Sequence, residues 1–133
     1  SQSIKNFSKV TDISIVKRGP GGVADELVIA TDKGTYKIIS EYNIRAVLCD
    51  GVTGVVRQDG SEVSMPNLLP SAFFVIEPSH DKKNVVGYNI IGGGFGHGVG
   101  MSQNGAKNMA LQGLGAEQIL NFFYEGCEIC SGQ

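Results

Sequence analysis

Residues 92–106 read Gly92-Gly93-Gly94-Phe95-Gly96-His97-Gly98-Val99-Gly100-Met101-Ser102-Gln103-Asn104-Gly105-Ala106. Six of the first nine positions are glycine, and so dense a run without Cβ atoms suits neither a helix interior nor a strand. It is a loop, and it parts the chain into two kinds of sequence. Short β-branched runs precede it, and two stretches of helical spacing follow it. The fold class this predicts is α+β: a mixed, mostly antiparallel sheet built from short strands, the glycine-rich loop, and two C-terminal helices.

Working upstream, Ser71 to Glu77 and Val85 to Ile91 are apolar enough for two strands, with Ser79-His80-Asp81-Lys82-Lys83-Asn84 as an exposed link. Pro66 and Pro70 frame an irregular stretch, and Gly51 to Gly60 reads as a loop or weak hairpin. Glu41 to Leu48 places Ile44, Val47 and Leu48 at i, i+3, i+4 behind a plausible N-cap, Ser40. Glu26 to Thr31 and Thr35 to Ile39 flank Asp32-Lys33-Gly34, a tight-turn sequence, and are expected to pair antiparallel. Thr11 to Val16 begins as a half-buried strand and is followed by the turn residues Gly19-Pro20-Gly21-Gly22.

Downstream, Met101 to Gln112 predicts a helix with Ala106, Met109, Ala110 and Gly113 along one face. Ala116 to Tyr124 predicts another, with Ile119, Phe122 and Phe123 inward and Gly126 ending it. Gly113-Leu114-Gly115 separates the two. After residue 91 only Lys107, Glu117, Glu125 and Glu128 are charged, so this tail does not read as ordinary solvated surface.

The whole chain has 133 residues, too few for two full cores. Its 19 glycines are roughly twice the usual share of ~7%, yet 41% of residues are apolar, as in a folded domain. A formal charge of −2 supplies no electropositive field for phosphates, so nucleic acid is not expected as a partner. No stretch approaches the roughly 18–20 apolar residues that cross a bilayer. The chain starts at Ser1 rather than Met, which fits a mature or trimmed product.

A strand, a glycine loop and a helix can cradle phosphate, but Gly-x-Gly-x-x-Gly is missing from residues 92–105 and Lys107 is followed by Asn108 rather than Ser or Thr. Gly100-Met101-Ser102-Gln103-Asn104 differs from a nucleophile elbow at its last position, and Ser102 reads first as an N-cap. His97, between Gly96 and Gly98, has neighbours that let a ligand approach its ring; holding the loop through a backbone carbonyl is an equally weighted role. Cys127 and Cys130 form one C-x-x-C pair with no second pair or nearby histidine, so a packed or locally paired state is expected rather than a metal site; Cys49 leaves the cysteine count odd.

The run from Gly94 to Ala106, with Met109-Ala110 and Gln112-Gly113, resembles the C-terminal signature of the stage II sporulation protein D family, which includes the amidase enhancers. The resemblance continues through Glu117-Gln118-Ile119-Leu120 and Phe123-Tyr124-Glu125-Gly126-Cys127-Glu128-Ile129, and Leu69-Pro70-Ser71-Ala72-Phe73-Phe74 is compatible with it. Phe95 stands where the family more often has tryptophan, and Glu125 where it has proline. Family members that cleave glycans carry a catalytic glutamate upstream in an alanine-rich segment, and residues 1–91 contain nothing like it. A lytic transglycosylase needs a carboxyl group to protonate the leaving oxygen. No acidic residue occurs between Asp81 and Glu117, and Glu117 has a structural place in the first turn of its helix.

The resemblance implies that residues 1–133 are the C-terminal portion of a stage II sporulation protein D-like domain, strand-rich over 1–91, with the loop and helices over 92–129. The parent would be a peptidoglycan lytic transglycosylase. It would cleave denuded glycan strands between N-acetylmuramic acid and N-acetylglucosamine during engulfment. This chain would hold no catalytic residue, metal or cofactor, and would bind substrate through Phe95, Gly96, His97, Gly98, Ser102 and Gln103. Alternatively it is a noncatalytic peptidoglycan-binding or amidase-enhancer module. Its expected partners are glycan strands and a cell-wall amidase, with self-association if it is truncated. Its expected place is the cell envelope outside the cytoplasm, the parent's anchor lying outside this chain.

Overall fold

A computed structural model describes residues 6–130; the expected boundaries at residues 1 and 133 lie outside them. The described chain forms two compact units that divide between Gly98 and Val99, inside the glycine run rather than at Gly92. The second unit is a helical hairpin with a small apolar contact of its own, which is how 133 residues form two units without two full cores.

In the first unit, β1 (Val10–Arg18), β2 (Ala24–Thr31) and β3 (Gly34–Ile39) form an antiparallel sheet in that order. Gly19 to Gly22 turns β1 into β2, and the Asp32-Lys33 turn sets a β2–β3 register from Thr31 opposite Gly34 to Glu26 opposite Ile39. Ser40 caps α1 (Glu41–Val47), its hydroxyl accepting from the Asn43 N–H. Two residues each make β4 (Val55–Val56) and β5 (Glu62–Val63), the weak hairpin expected there. Then β6 (Phe74–Asp81) and β7 (Asn84–Gly92) pair antiparallel as a separate ribbon. The segment expected to be an exposed link is mostly strand, because Asp81 pairs with Asn84 and only Lys82 and Lys83 turn, Lys82 with φ 55°. The strands are thus distributed over three sheets, and every pairing among the described residues is antiparallel.

The core of this unit is Ala24 and Leu27 of β2, Ile44 of α1, and Ala72 and Phe74 at the start of the ribbon. Ile13, Ile15, Ile29, Ile38, Leu48, Leu69 and Ile76 pack around it. On α1 only Ile44 and Leu48 of the expected face turn inward, and Val47 is half exposed. Nearby, the Cys49 thiol donates to the Met65 carbonyl at 2.9 Å.

In the second unit, α2 (Gln103–Leu111) and α3 (Ala116–Phe123) are parted by the expected Gly113-Leu114-Gly115 break. Ser102 caps α2, its Oγ accepting from the Gly105 N–H at 3.1 Å. Of the expected apolar faces, Ile119 is buried, but Phe122 is exposed and α2 buries no residue. The contact between the helices depends on Gly105, where a Cβ would lie 3.0 Å from the Phe123 ring. Tyr124 turns its hydroxyl back to accept from the Met101 N–H at 3.2 Å. Cys127 and Cys130 are exposed free thiols rather than packed or paired ones. No helix among the described residues is long and apolar enough to cross a membrane.

Candidate functional site

The glycine loop is held against the irregular segment before β6 by a short chain of hydrogen bonds. The Gly93 N–H donates to the Phe73 carbonyl at 3.0 Å, the Ser71 hydroxyl donates to the Gly93 carbonyl at 2.6 Å, and the Gly96 N–H donates to the Pro70 carbonyl at 2.9 Å. The segment itself is anchored from two sides. Ala24 donates its N–H to the Ala72 carbonyl at 2.9 Å. From α1, the buried Arg45 donates through Nε to the Leu69 carbonyl at 2.8 Å, through Nη2 to the Pro70 carbonyl at 3.2 Å, and through Nη1 to Glu41 at 3.1 Å. A planar guanidinium can serve all three at once.

Two glycines allow this approach. At Gly92 an added Cβ would lie 2.5 Å from the Phe73 oxygen and 2.6 Å from the Phe74 Cβ. At Gly98 it would lie 2.5 Å from a Val23 methyl, and its φ of 71° is in the region that L residues disfavour.

The result is an open hollow of about 250 Å³ lined by Gly21, Val23, Ser71, Phe73, Gly93, Gly94, Phe95, Gly96 and Gly98. A second hollow of about 420 Å³ shares Phe73 and Gly93 and continues along Gly22, Val75, Ile91 and Arg18. Adjoining at Phe73 and Gly93, they make a shallow groove with exposed rings and bare backbone, of which the second hollow alone reaches the volume of ordinary ligand sites, roughly 300–1,000 Å³. Phe95 is 87% exposed and Phe73 51%. Among the described residues, no carboxylate lines either hollow. The carboxylates whose ionisation the fold shifts lie elsewhere: hydrogen bonds from Thr53 and from Ser61 hold Asp50 and Asp59 below the usual carboxylate range. Among the described residues, no three His, Cys, Asp or Glu side chains converge as a metal site requires.

Of the residues expected to bind substrate, Phe95, Gly96 and Gly98 meet in the first hollow. His97 is exposed on the same loop but does not line the hollow. Ser102 and Gln103 belong to the second unit, where Ser102 is occupied as the α2 cap and Gln103 begins the helix. Phe73, Ser71, Val23 and Arg18 did not stand out in the sequence. One signal was present for Phe73: successive residues at the start of a strand point to opposite faces, so Phe73 and Phe74 could not both be core.

A protein-family profile described as a domain of unknown function (DUF8618) matches residues 1–100. The chain belongs to this family. The DUF8618 match covers the whole of the first unit, groove included. Curated relatives confirm the stage II sporulation protein D resemblance. Over 50 residues the chain is 48% identical to the amidase enhancer of Bacillus subtilis (strain 168), covering 38% of this chain and 7% of that protein. Over 36 residues it is 53% identical to the stage II sporulation protein D of the same strain, covering 27% and 10%. An uncharacterized protein of Brachyspira hyodysenteriae (strain ATCC 49526 / WA1) is 40% identical over 75 residues, covering 56% and 19%. The matched stretches span from 7% to 19% of the length of these relatives. No solved structure matches the chain significantly.

Proposed function

We propose that this DUF8618 chain is a glycan-binding portion of a peptidoglycan-acting protein of the stage II sporulation protein D family. It holds denuded glycan strands outside the cytoplasm while the proton-transferring carboxylate is supplied from beyond these residues. The observation that carries this reading is the groove's chemistry: two exposed phenyl rings, bare glycine backbone and no carboxylate among its lining residues. A sugar ring presents an apolar C–H face that can cover a phenyl ring, and hydroxyls and acetamido groups that can bond to exposed backbone. A groove without an acid can bind a glycan strand but cannot protonate its glycosidic oxygen. His97, exposed on the same loop as Phe95, is assigned as a further polar contact to the strand.

The test is co-sedimentation of the chain with purified, peptide-free glycan strands, followed by analysis of the strands for anhydro ends. The expected outcome is binding without cleavage, with Phe73→Ala and Phe95→Ala each weakening binding by about 1–2 kcal/mol while the fold persists. Binding unchanged in the double variant would remove the groove from the account. The name of the amidase enhancer relative favours a second reading, in which the same groove localises the chain while it stimulates a wall amidase. Stimulation of a purified amidase by the chain, lost in the Phe73→Ala, Phe95→Ala double variant, would select that reading.

A further inference from the structure

Among the described residues, Arg18 is the only charged side chain lining either hollow. It stands at the end of β1, with Nη1 donating to the Gly22 carbonyl at 2.8 Å and Nη2 to the Phe74 carbonyl at 2.7 Å. Those two bonds hold the guanidinium in place yet use only part of its five-donor fork. Both acceptors are neutral. Among the described residues Arg18 has no carboxylate within ion-pair reach, whereas its neighbour Lys17 is paired with Asp25 at 2.6 Å. The groove therefore has an uncharged half, with Phe95, Phe73 and the glycines, and a half with one guanidinium cation beside the apolar Val75 and Ile91.

We propose that Arg18 makes the second hollow a subsite for an acidic sugar, binding the carboxylate of a sugar ether-linked to lactic acid, and so sets the register of the strand. This rests on the glycan reading above. In a peptide-free strand the two sugars alternate, and only N-acetylmuramic acid carries a free lactyl carboxylate. Pairing that carboxylate with Arg18 leaves the neutral N-acetylglucosamine for the first hollow, where Phe73 and Phe95 offer apolar faces and no charge. A strand shifted by one sugar would place an anion over the phenyl rings and leave the cation unmatched. A charge-assisted contact of this kind is favourable and directional. When stem peptides are attached the lactyl group is an amide, so the same subsite distinguishes denuded strands from peptide-bearing ones.

The test measures affinity of the full chain for three tetrasaccharides: peptide-free muramic glycan, the same glycan with its lactyl carboxyls converted to amides, and the lactyl-free N-acetylglucosamine tetramer. The expected result is binding of the free acid about tenfold tighter than of the other two at low salt, the advantage shrinking as ionic strength rises. In Arg18→Gln the three should bind within about twofold of one another, and Arg18→Lys should restore part of the preference. Amidating the ligand removes the charge without touching the protein, so a folding defect in the variant does not obscure the answer. Equal affinity of the wild-type chain for acid and amide would overturn the Arg18 subsite and leave the glycan reading standing. Failure to bind any of the three would overturn the glycan reading and the subsite with it.

Discussion

Phe73 and Phe74 are adjacent and do opposite things. Phe74 is 5% exposed and belongs to the core, while Phe73 stands on the other face, its ring so close to Gly22 that a Cβ there would lie 2.7 Å away. Glycine at the facing positions keeps the ring accessible from both hollows. Gly98 has the same kind of function on the loop side. Gly98→Ala would place a methyl group against Val23 and force a left-handed backbone on an L residue, a conformation that costs roughly 1–2 kcal/mol. The expected outcome is a loss larger than that in urea unfolding of the chain, because the clash adds to the backbone cost, with glycan binding weakened as well. Adding Val23→Ala should relieve the clash but leave the backbone cost. Full recovery in the double variant would show that φ at this position is unimportant.

At the scale of elements, α1 supports the groove without touching its ligand face. Arg45 reaches from the helix to the carbonyls of Leu69 and Pro70, and Pro70 in turn accepts from Gly96. Arg45→Ala would leave those carbonyls and Glu41 without their cation, and a loss of about 2–4 kcal/mol in chemical denaturation is expected. Glu41→Gln should cost far less, since the carbonyl bonds remain. Equal losses in the two variants would locate Arg45's contribution in its ion pair.

Most of these elements were legible in the sequence, because their signals are local. Ser40 before an apolar i, i+3, i+4 pattern, and Asp32-Lys33-Gly34 between two β-branched runs, announce a helix and a hairpin. The site was less so. Its loop half, at Phe95, Gly96 and Gly98, stood out by composition, whereas Ser71 and Phe73 lie in the run Ser71 to Glu77, which reads as an ordinary strand and carries no local sign of a site. Their place opposite the glycines is set by hydrogen bonds to residues some twenty positions away, as from Ser71 to Gly93. Arg18 reaches the Phe74 carbonyl across 56 positions. The inward face of a short helix was equally hard to read: Val47 and Phe122 fit the spacing, yet a helix of two turns buries only one or two side chains.

At the scale of the whole chain, the glycine excess has two distinct uses, and the division between units separates them. Gly92 to Gly98 bring a loop against the strand-rich unit and leave its backbone open. Gly105 in the helical unit permits α2 and α3 to touch through Phe123. The DUF8618 profile ends at residue 100, so the groove lies within the family's extent. In the proposed function this groove takes a peptide-free glycan strand. The most direct test is a titration of the ¹⁵N-glycine-labelled chain with such strands, followed by amide resonances. Shifts are expected to concentrate at Gly93, Gly94, Gly96 and Gly98, with Gly51 and Gly60 unmoved. Shifts spread evenly over all these glycines, or absent from the loop while the strands bind, would contradict it.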